Sequence, residues 1–431
     1  MTAGDVALWV PRVAFYPVYL ATEYLVRAPL GALIPAVEQN DIIGKLEDLF
    51  SFGPKNNIAI VPTGFVDFGF RPSVGLFLSY ADFLTEGNSL VATVATGGER
   101  FYKGAAADRI ELGGKSFLQL EVDAIERPDL LYWGVGPRTL DEGEATYDLR
   151  TLGGGARIHV DLTRGGIGKK GSFFEGWLLA RGADFGNGDC EGAVAVAGAG
   201  GTTFACGQAT ILEQVRRGRY DLPPGFEGYA VVKTGGRLVL DSRDPRPAPG
   251  TGVALDLLGE HAGEVMGQES GGWINYGATA AAFVDLTGTQ RVLSLSLGAR
   301  FADPLRDDYE IPFSELVGNR RFDDVPDNEL LHGFLPGRLL GESAAVAALE
   351  YHWPVWTFID GIMQTGVANT FGSHLEDFDP GLLRFAFAGG LRSSNHRDHS
   401  FNLLLGFGTE TVDQGADLMS VRFLFGGTTG F

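Results

Sequence analysis

The sequence is short of several things, and each shortage removes a class of protein. Cysteine occurs twice, as Cys190 and Cys206. Their spacing, inside a Gly/Ala-rich segment, fits neither a zinc site nor a CxxC redox pair. Positive charge is scarce: 34 Lys and Arg stand against 54 Asp and Glu, a formal charge of −20. No basic stripe is offered to phosphates, so nucleic acid is not an expected partner. Long apolar runs are missing too. The longest apolar region, Trp9 to Val37, is interrupted by Arg12, Glu23 and Arg27. It makes no conventional transmembrane helix. Met1 to Asp5 lacks the basic stretch that opens a signal peptide. No GxSxG elbow, HExxH pair or P-loop occurs, so no enzyme, cofactor or metal is expected. Seven histidines are scattered. His396 and His399 share one polar turn, which reads as a loop and not a metal site.

What the chain does have is glycine and phenylalanine. Gly is 63 of 431 residues, twice the usual ~7%. Phe numbers 30, and charged residues make up only 20%. That is too apolar and aromatic for a disordered chain.

Two kinds of periodicity divide the sequence. Residues 1–55 read as a helical arm. Arg12 to Arg27 is apolar nearly all round, with a kink at Pro17. Glu38 to Phe50 is amphipathic, with Ile42, Ile43, Leu46, Leu49 and Phe50 on one side. Residues 56–431 alternate with a period of two. Leu293, Leu295 and Leu297 alternate with Ser294, Ser296 and Gly298. Leu349, Tyr351 and Trp353 alternate with Ala348, Glu350 and His352. Val421, Phe423 and Phe425 alternate with Ser420, Arg422 and Leu424. One face is apolar, often ending in an aromatic; the other carries Gly, Ser, Ala and single charges. A soluble sandwich would need a densely charged outer face. This economy suits strands with lipid on one side and a polar lumen on the other. The expected fold class is therefore all-β: a transmembrane antiparallel β-barrel with an N-terminal helical arm. Even strand numbers are the rule for such barrels, and the length fits 16.

The interval Asp303 to Gly341 lacks clear alternation, and a loop of that length is usually functional. Asp323, Asp324, Asp327 and Glu329 crowd its middle and read as a solvated acidic stretch without calcium-loop spacing. Cys190 and Cys206 fall in a loop of their own. In an oxidising compartment they are expected to form a disulfide worth about 3 kcal/mol in the chain-entropy model.

Ordered motifs surround the long interval. Pro312-Phe313-Ser314-Glu315 is followed by Leu331-His332-Gly333-Phe334, then Gly337-Arg338. Glu350-Tyr351-His352-Trp353-Pro354 and Phe358-Ile359-Asp360 come next. This order resembles the C-terminal barrel of the BamA-type superfamily, the bacterial surface antigen family. The turn Asp241 to Asp244 and the terminal Phe431 resemble it as well. The resemblance implies a 16-stranded barrel whose first and last strands meet at a seam. It also implies that the 303–341 loop folds back into the lumen. There the family's tetrad Arg pairs with two wall acids, kept here as Glu350 and Asp360. His332 stands in place of that Arg, and a protonated imidazole could partly replace it; Arg338 is the alternative partner. The family's periplasmic POTRA domains have no counterpart in residues 1–55, so the expectation is either a trimmed barrel or a short form without POTRA domains, which the helical arm favours.

The site expected on these grounds comprises His332, Gly333, Phe334, Arg338, Glu350 and Asp360. The implied setting is the bacterial outer membrane, with membrane lipids and other outer-membrane or periplasmic proteins as partners. The implied role is protein or lipid assembly, or scaffolding. A passive channel, its selectivity tuned by inward charges, is the rival.

Overall fold

The computed structural model describes residues 24, 49–53, 55–67, 70–165, 171–191, 196–197, 203–204, 209–243, 250–267, 271–319, 329–356, 359–393 and 400–428. The helical arm, apart from Tyr24 and residues 49–53 and 55, lies outside the described residues. So do Cys206, Asp323, Asp324, Asp327, Phe358, His396 and His399. The chain divides into two compact units, Met1–Ile60 and Val61–Phe431. In the first, Ser51–Phe52 pairs antiparallel with Ile58 and Ala59.

Sixteen strands form one closed antiparallel barrel. They are β1 Ile58–Asp67, β2 Ser73–Ala81, β3 Asn88–Gly98, β4 Phe101–Gly113, β5 Ser116–Tyr132, β6 Ala145–Asp161, β7 Phe173–Asn187 and β8 Tyr229–Asp241. The ring continues with β9 Gly252–Met266, β10 Gly272–Asp285, β11 Val292–Pro304, β12 Ser343–Trp356, β13 Ile359–Phe371, β14 Arg384–Ser393, β15 Ser400–Thr411 and β16 Leu418–Thr428. Each strand pairs with its neighbours in sequence, and β16 closes onto β1. A short helix, α1 Ile211–Arg216, sits in the β7–β8 connection behind a Thr210–Glu213 capping box. No helix among the described residues is long and apolar enough to cross a membrane.

The period of two puts alternate side chains on opposite faces. On β11, Leu295 and Leu297 are about half exposed on the outer face, while Ser294 is buried on the inner one. On β5, Leu120 and Val122 point out, whereas Gln119 is buried within a polar network. Long connections gather at one end of the barrel: residues 133–144, 188–228, 305–342 and 372–383. The connections at the other end are mostly shorter, as between β4 and β5 at residues 114–115.

Candidate functional site: the lumen loop and the seam

The barrel closes where its last strand meets its first. Among the described residues, β16 and β1 are paired through Leu424↔Asp67, Phe425↔Val66 and Gly426↔Phe65; residues 68 and 69, which follow Asp67, lie outside the described residues. By contrast, β5 and β6 stay in register from Phe117↔His159 to Tyr132↔Ala145, with one irregularity. Gly426 is required at the seam contact. Its φ is +147°, and a Cβ there would lie 2.8 Å from the Phe65 Cα.

One buried guanidinium reinforces the seam. Arg422 on β16 holds Asp67 on β1 with Nε at 3.0 Å and Nη2 at 2.7 Å. Its Nη1 reaches Glu329 and the Phe334 carbonyl, the latter at 3.2 Å. Glu329 and Phe334 belong to the 305–342 loop, so the same side chain ties the seam to the loop. This corrects the reading of Glu329 as a solvated acid: it is buried because Arg422 neutralises it.

The loop is anchored at three further levels. Phe313 is fully buried among Tyr132, Tyr147 and Phe185, with ring centroids 4.9–5.3 Å away. Next to it, Glu315 accepts from Lys233 at 2.5 Å and from the Tyr229 hydroxyl at 2.8 Å. Higher up, the two arms of the loop meet, and Val317 and Gly341 exchange backbone hydrogen bonds of 3.0 Å. Asn319 then clasps Leu331, accepting from its N–H at 3.1 Å and donating to its carbonyl at 2.7 Å.

From Leu331 to Phe334 the chain lies on a wall of small residues. Leu331, Phe334 and Leu339 pack against Val346, Ala348, Ala368 and Ala386. A Cβ on Gly333 would collide with the Phe407 carbonyl, and one on Gly406 with the carbonyl of His332. The Ser420 hydroxyl donates to the Gly333 carbonyl at 2.7 Å. Small side chains on β13 to β15 are therefore what let the loop backbone approach the wall.

The expected site residues are only partly gathered. His332 is buried, and its backbone N–H donates to the Gln364 side chain at 3.1 Å. Gln364 in turn donates to the Leu330 carbonyl at 3.0 Å and to Glu350 at 2.8 Å. Glu350 thus reaches the loop through Gln364 and also binds the His352 ring. Asp360 is buried in the β13 wall, opposite Arg392 in the register with β14.

Arg338 goes elsewhere, which corrects its assignment to Glu350 and Asp360. Gly337, at φ +87°, turns the chain against the Leu131 carbonyl. Arg338 then points to the β14–β15 end, where it holds Glu410 at 3.0 Å and the Thr139 carbonyl at 3.0 Å. Arg384 shares both partners. Burial, with Arg384 beside it, pushes the Arg338 pKa down to about 10, partly offset by Glu410; the side chain stays charged at neutral pH. Asp141, in the 133–144 connection, has its carboxyl pushed up by burial, and Arg338 counters this in part. That connection is strapped down by Arg384, Arg338 and Asn369, the last donating to the Pro137 carbonyl at 3.1 Å.

Sequence reasoning missed Arg422, Asp67, Gln364 and Glu410 as site residues. Their signal was a lone polar group among Gly, Ala and Ser on the inward face. Cys190, in the β7–β8 connection, packs against the cluster of Phe70, Leu131 and Trp133. Its pairing with Cys206 falls outside the described residues.

No family model matches the chain, and no curated protein matches its sequence. Solved structures do. BamA from Haemophilus ducreyi lacking POTRA domains 1–3 superposes with a TM-score of 0.55 at 12% identity, over 86% of this chain and 70% of that one. CdiB from Escherichia coli superposes with a TM-score of 0.50 at 11% identity, over 85% of this chain and 62% of that one. The fold is thus a BamA-type barrel.

Proposed function

We propose that the protein sits in the bacterial outer membrane and assists the assembly or passage of outer-membrane proteins or lipids by opening at the β1–β16 seam. The observation that carries this reading is the seam, where among the described residues three pairs join β16 to β1 and the buried Arg422 spans both strands and the loop. A seam where one buried side chain ties both edge strands to a lumen loop can open with that loop, and an opened edge offers its unpaired groups to other strands. The apolar outer face supports the membrane setting. Val74, Leu152, Leu178 and Leu297 are each more than half exposed there, and lipid solvates such a face where water does not. The partners on this reading are membrane lipids and unfolded or partly folded envelope proteins. The protein works by binding and yielding, not by covalent catalysis.

A seam lock tests the reading. Val66→Cys with Phe425→Cys, without the two native cysteines, places thiols at directly paired positions. The protein is reconstituted in vesicles, and the folding rate of an added unfolded outer-membrane barrel is measured. Reduced protein should speed that folding, and oxidised protein should not. Equal acceleration in both states would remove the seam from the mechanism. A steady conductance indifferent to the lock, with no effect on folding, would favour the passive channel.

A further inference from the structure

The outer wall of β2 to β6 carries a groove of about 840 Å³, lined among others by Leu76, Val94, Gly104 and Ala124. We infer that this groove binds one zwitterionic phospholipid, its acyl chain along the groove and its headgroup at Glu126, Arg150 and Asp184. The inference rests on the outer-membrane setting proposed above.

Strand register builds the groove. One outward row runs Leu76, Val94, Gly104, Ala124, Leu152. Large side chains stand at its ends, and a glycine and an alanine in its middle. The row next to it, toward the long connections, runs Thr96, Tyr102, Glu126, Arg150, Asp184. The floor is therefore low and mainly apolar, Lys103 also borders it, and the charged triplet edges one end. A pocket of this size is in the range that takes a small apolar ligand, roughly 300–1,000 Å³. Nothing lies within 4 Å of where a Gly104 Cβ would stand, so the dip is open space and not a packing requirement.

The edge sets the headgroup class. Arg150 is half exposed and holds Glu126 at 3.3 Å, with Asp184 at 4.0 Å on its other side. Asp148, at 3.2 Å, is also paired with Arg100. The outward order is thus acid, base, acid. A phosphate on Arg150 alone would face two carboxylates, which disfavours a purely anionic headgroup. A headgroup that also carries an ammonium answers both signs, with phosphate on Arg150 and amine on Glu126 or Asp184. A second outer groove, lined by Val253, Leu255, Ala280 and Ala282 among others, lacks such a triplet and serves as the control.

The test uses the full chain in bicelles containing equal phosphatidylethanolamine and phosphatidylglycerol of matched acyl chains. Detergent extraction and native mass spectrometry follow, and unboiled gel mobility confirms a folded barrel in each sample. One retained phosphatidylethanolamine is expected, favoured over phosphatidylglycerol by roughly tenfold. Gly104→Leu with Ala124→Leu should abolish retention, and Ala280→Leu should leave it unchanged. Glu126→Gln with Asp184→Asn should move the preference toward phosphatidylglycerol. Equal retention of the two lipids, no retained lipid, or retention that survives the filled groove, would overturn the inference while leaving the membrane setting intact. Failure of folded protein to enter bicelles at all would overturn both.

Discussion

Two stretches of wall face the same lumen with opposite chemistry. From β4 to β9 the inner face is a chain of charged and polar contacts. Arg109 donates to Gln119 at 2.6 Å, Arg157 lies 3.3 Å from Glu121 and over the Trp177 ring, and Trp177 donates to Glu260 at 2.9 Å. From β12 to β16 the inner face is mainly small, with Ala348, Gly366, Ala386 and Gly406, and the loop fills the space they leave. The first stretch holds its shape by cross-strand pairs. The second depends on a loop that is not part of the sheet, and it ends at the seam. Where backbone pairing is long, side chains only add to it. At the seam, one arginine ties both strands to the loop.

The largest expected effect lies at that arginine. Arg422→Met takes the guanidinium from two buried carboxylates, Asp67 and Glu329, and should cost about 3–5 kcal/mol. The check is the midpoint temperature at which the folded band is lost on unboiled gels, which should fall clearly. Arg157→Gln on the other wall should shift it by much less, because unbroken backbone pairing remains around that site. A larger shift for Arg157→Gln would invert the comparison.

Steric fit comes next. Gly333→Ala forces a methyl into the Phe407 carbonyl and should cost roughly 1–3 kcal/mol. The loop should lift from the wall while the barrel stays folded. Limited proteolysis should then cut between residues 305 and 342 in the variant and spare the parent protein.

Gln364→Ala should cost about 1 kcal/mol. It removes the link from Glu350 to the loop backbone, so loop proteolysis should rise modestly. His332→Ala with Gln364 intact separates the imidazole from the backbone N–H that Gln364 holds; an effect smaller than that of Gln364→Ala assigns docking mainly to the backbone contact. The reverse ranking would restore the imidazole to the role the family resemblance implies.

How much of this was legible depended on the kind of signal. The barrel could be read because each strand repeats its period, and Leu293, Leu295 and Leu297 mark a face without knowledge of their neighbours. The lumen loop could be read from ordered motifs around Phe313, Gly333 and Glu350. Partner choice could not. Arg338 pairs with Glu410 and not with Glu350 because Gly337 turns the chain by the Leu131 carbonyl, a contact between residues more than 200 positions apart in sequence. Arg422 and Asp67 are 355 residues apart, and only closure of the ring brings them together.

The smallest effect is a pH dependence. The Asp141 carboxyl has a folded pKa raised above its unfolded value. Its contribution to holding the 133–144 connection is therefore full below the ordinary carboxylate range and is lost as pH rises through the raised value. Hydrogen exchange in residues 133–144, corrected for intrinsic rates, should be slower on the acid side of that value. Asp141→Asn should flatten the dependence, and an unchanged profile in that variant would assign it to another group.

Amide hydrogen exchange along the whole barrel tests the central comparison most directly. The amides of β16 from Leu418 to Phe423 should exchange faster than those of β5 and β6, and Arg422→Met should speed β16 further while leaving β5 and β6 unchanged. Protection of β16 equal to that of β5, unaffected by Arg422→Met, would contradict the account of a seam held by one arginine.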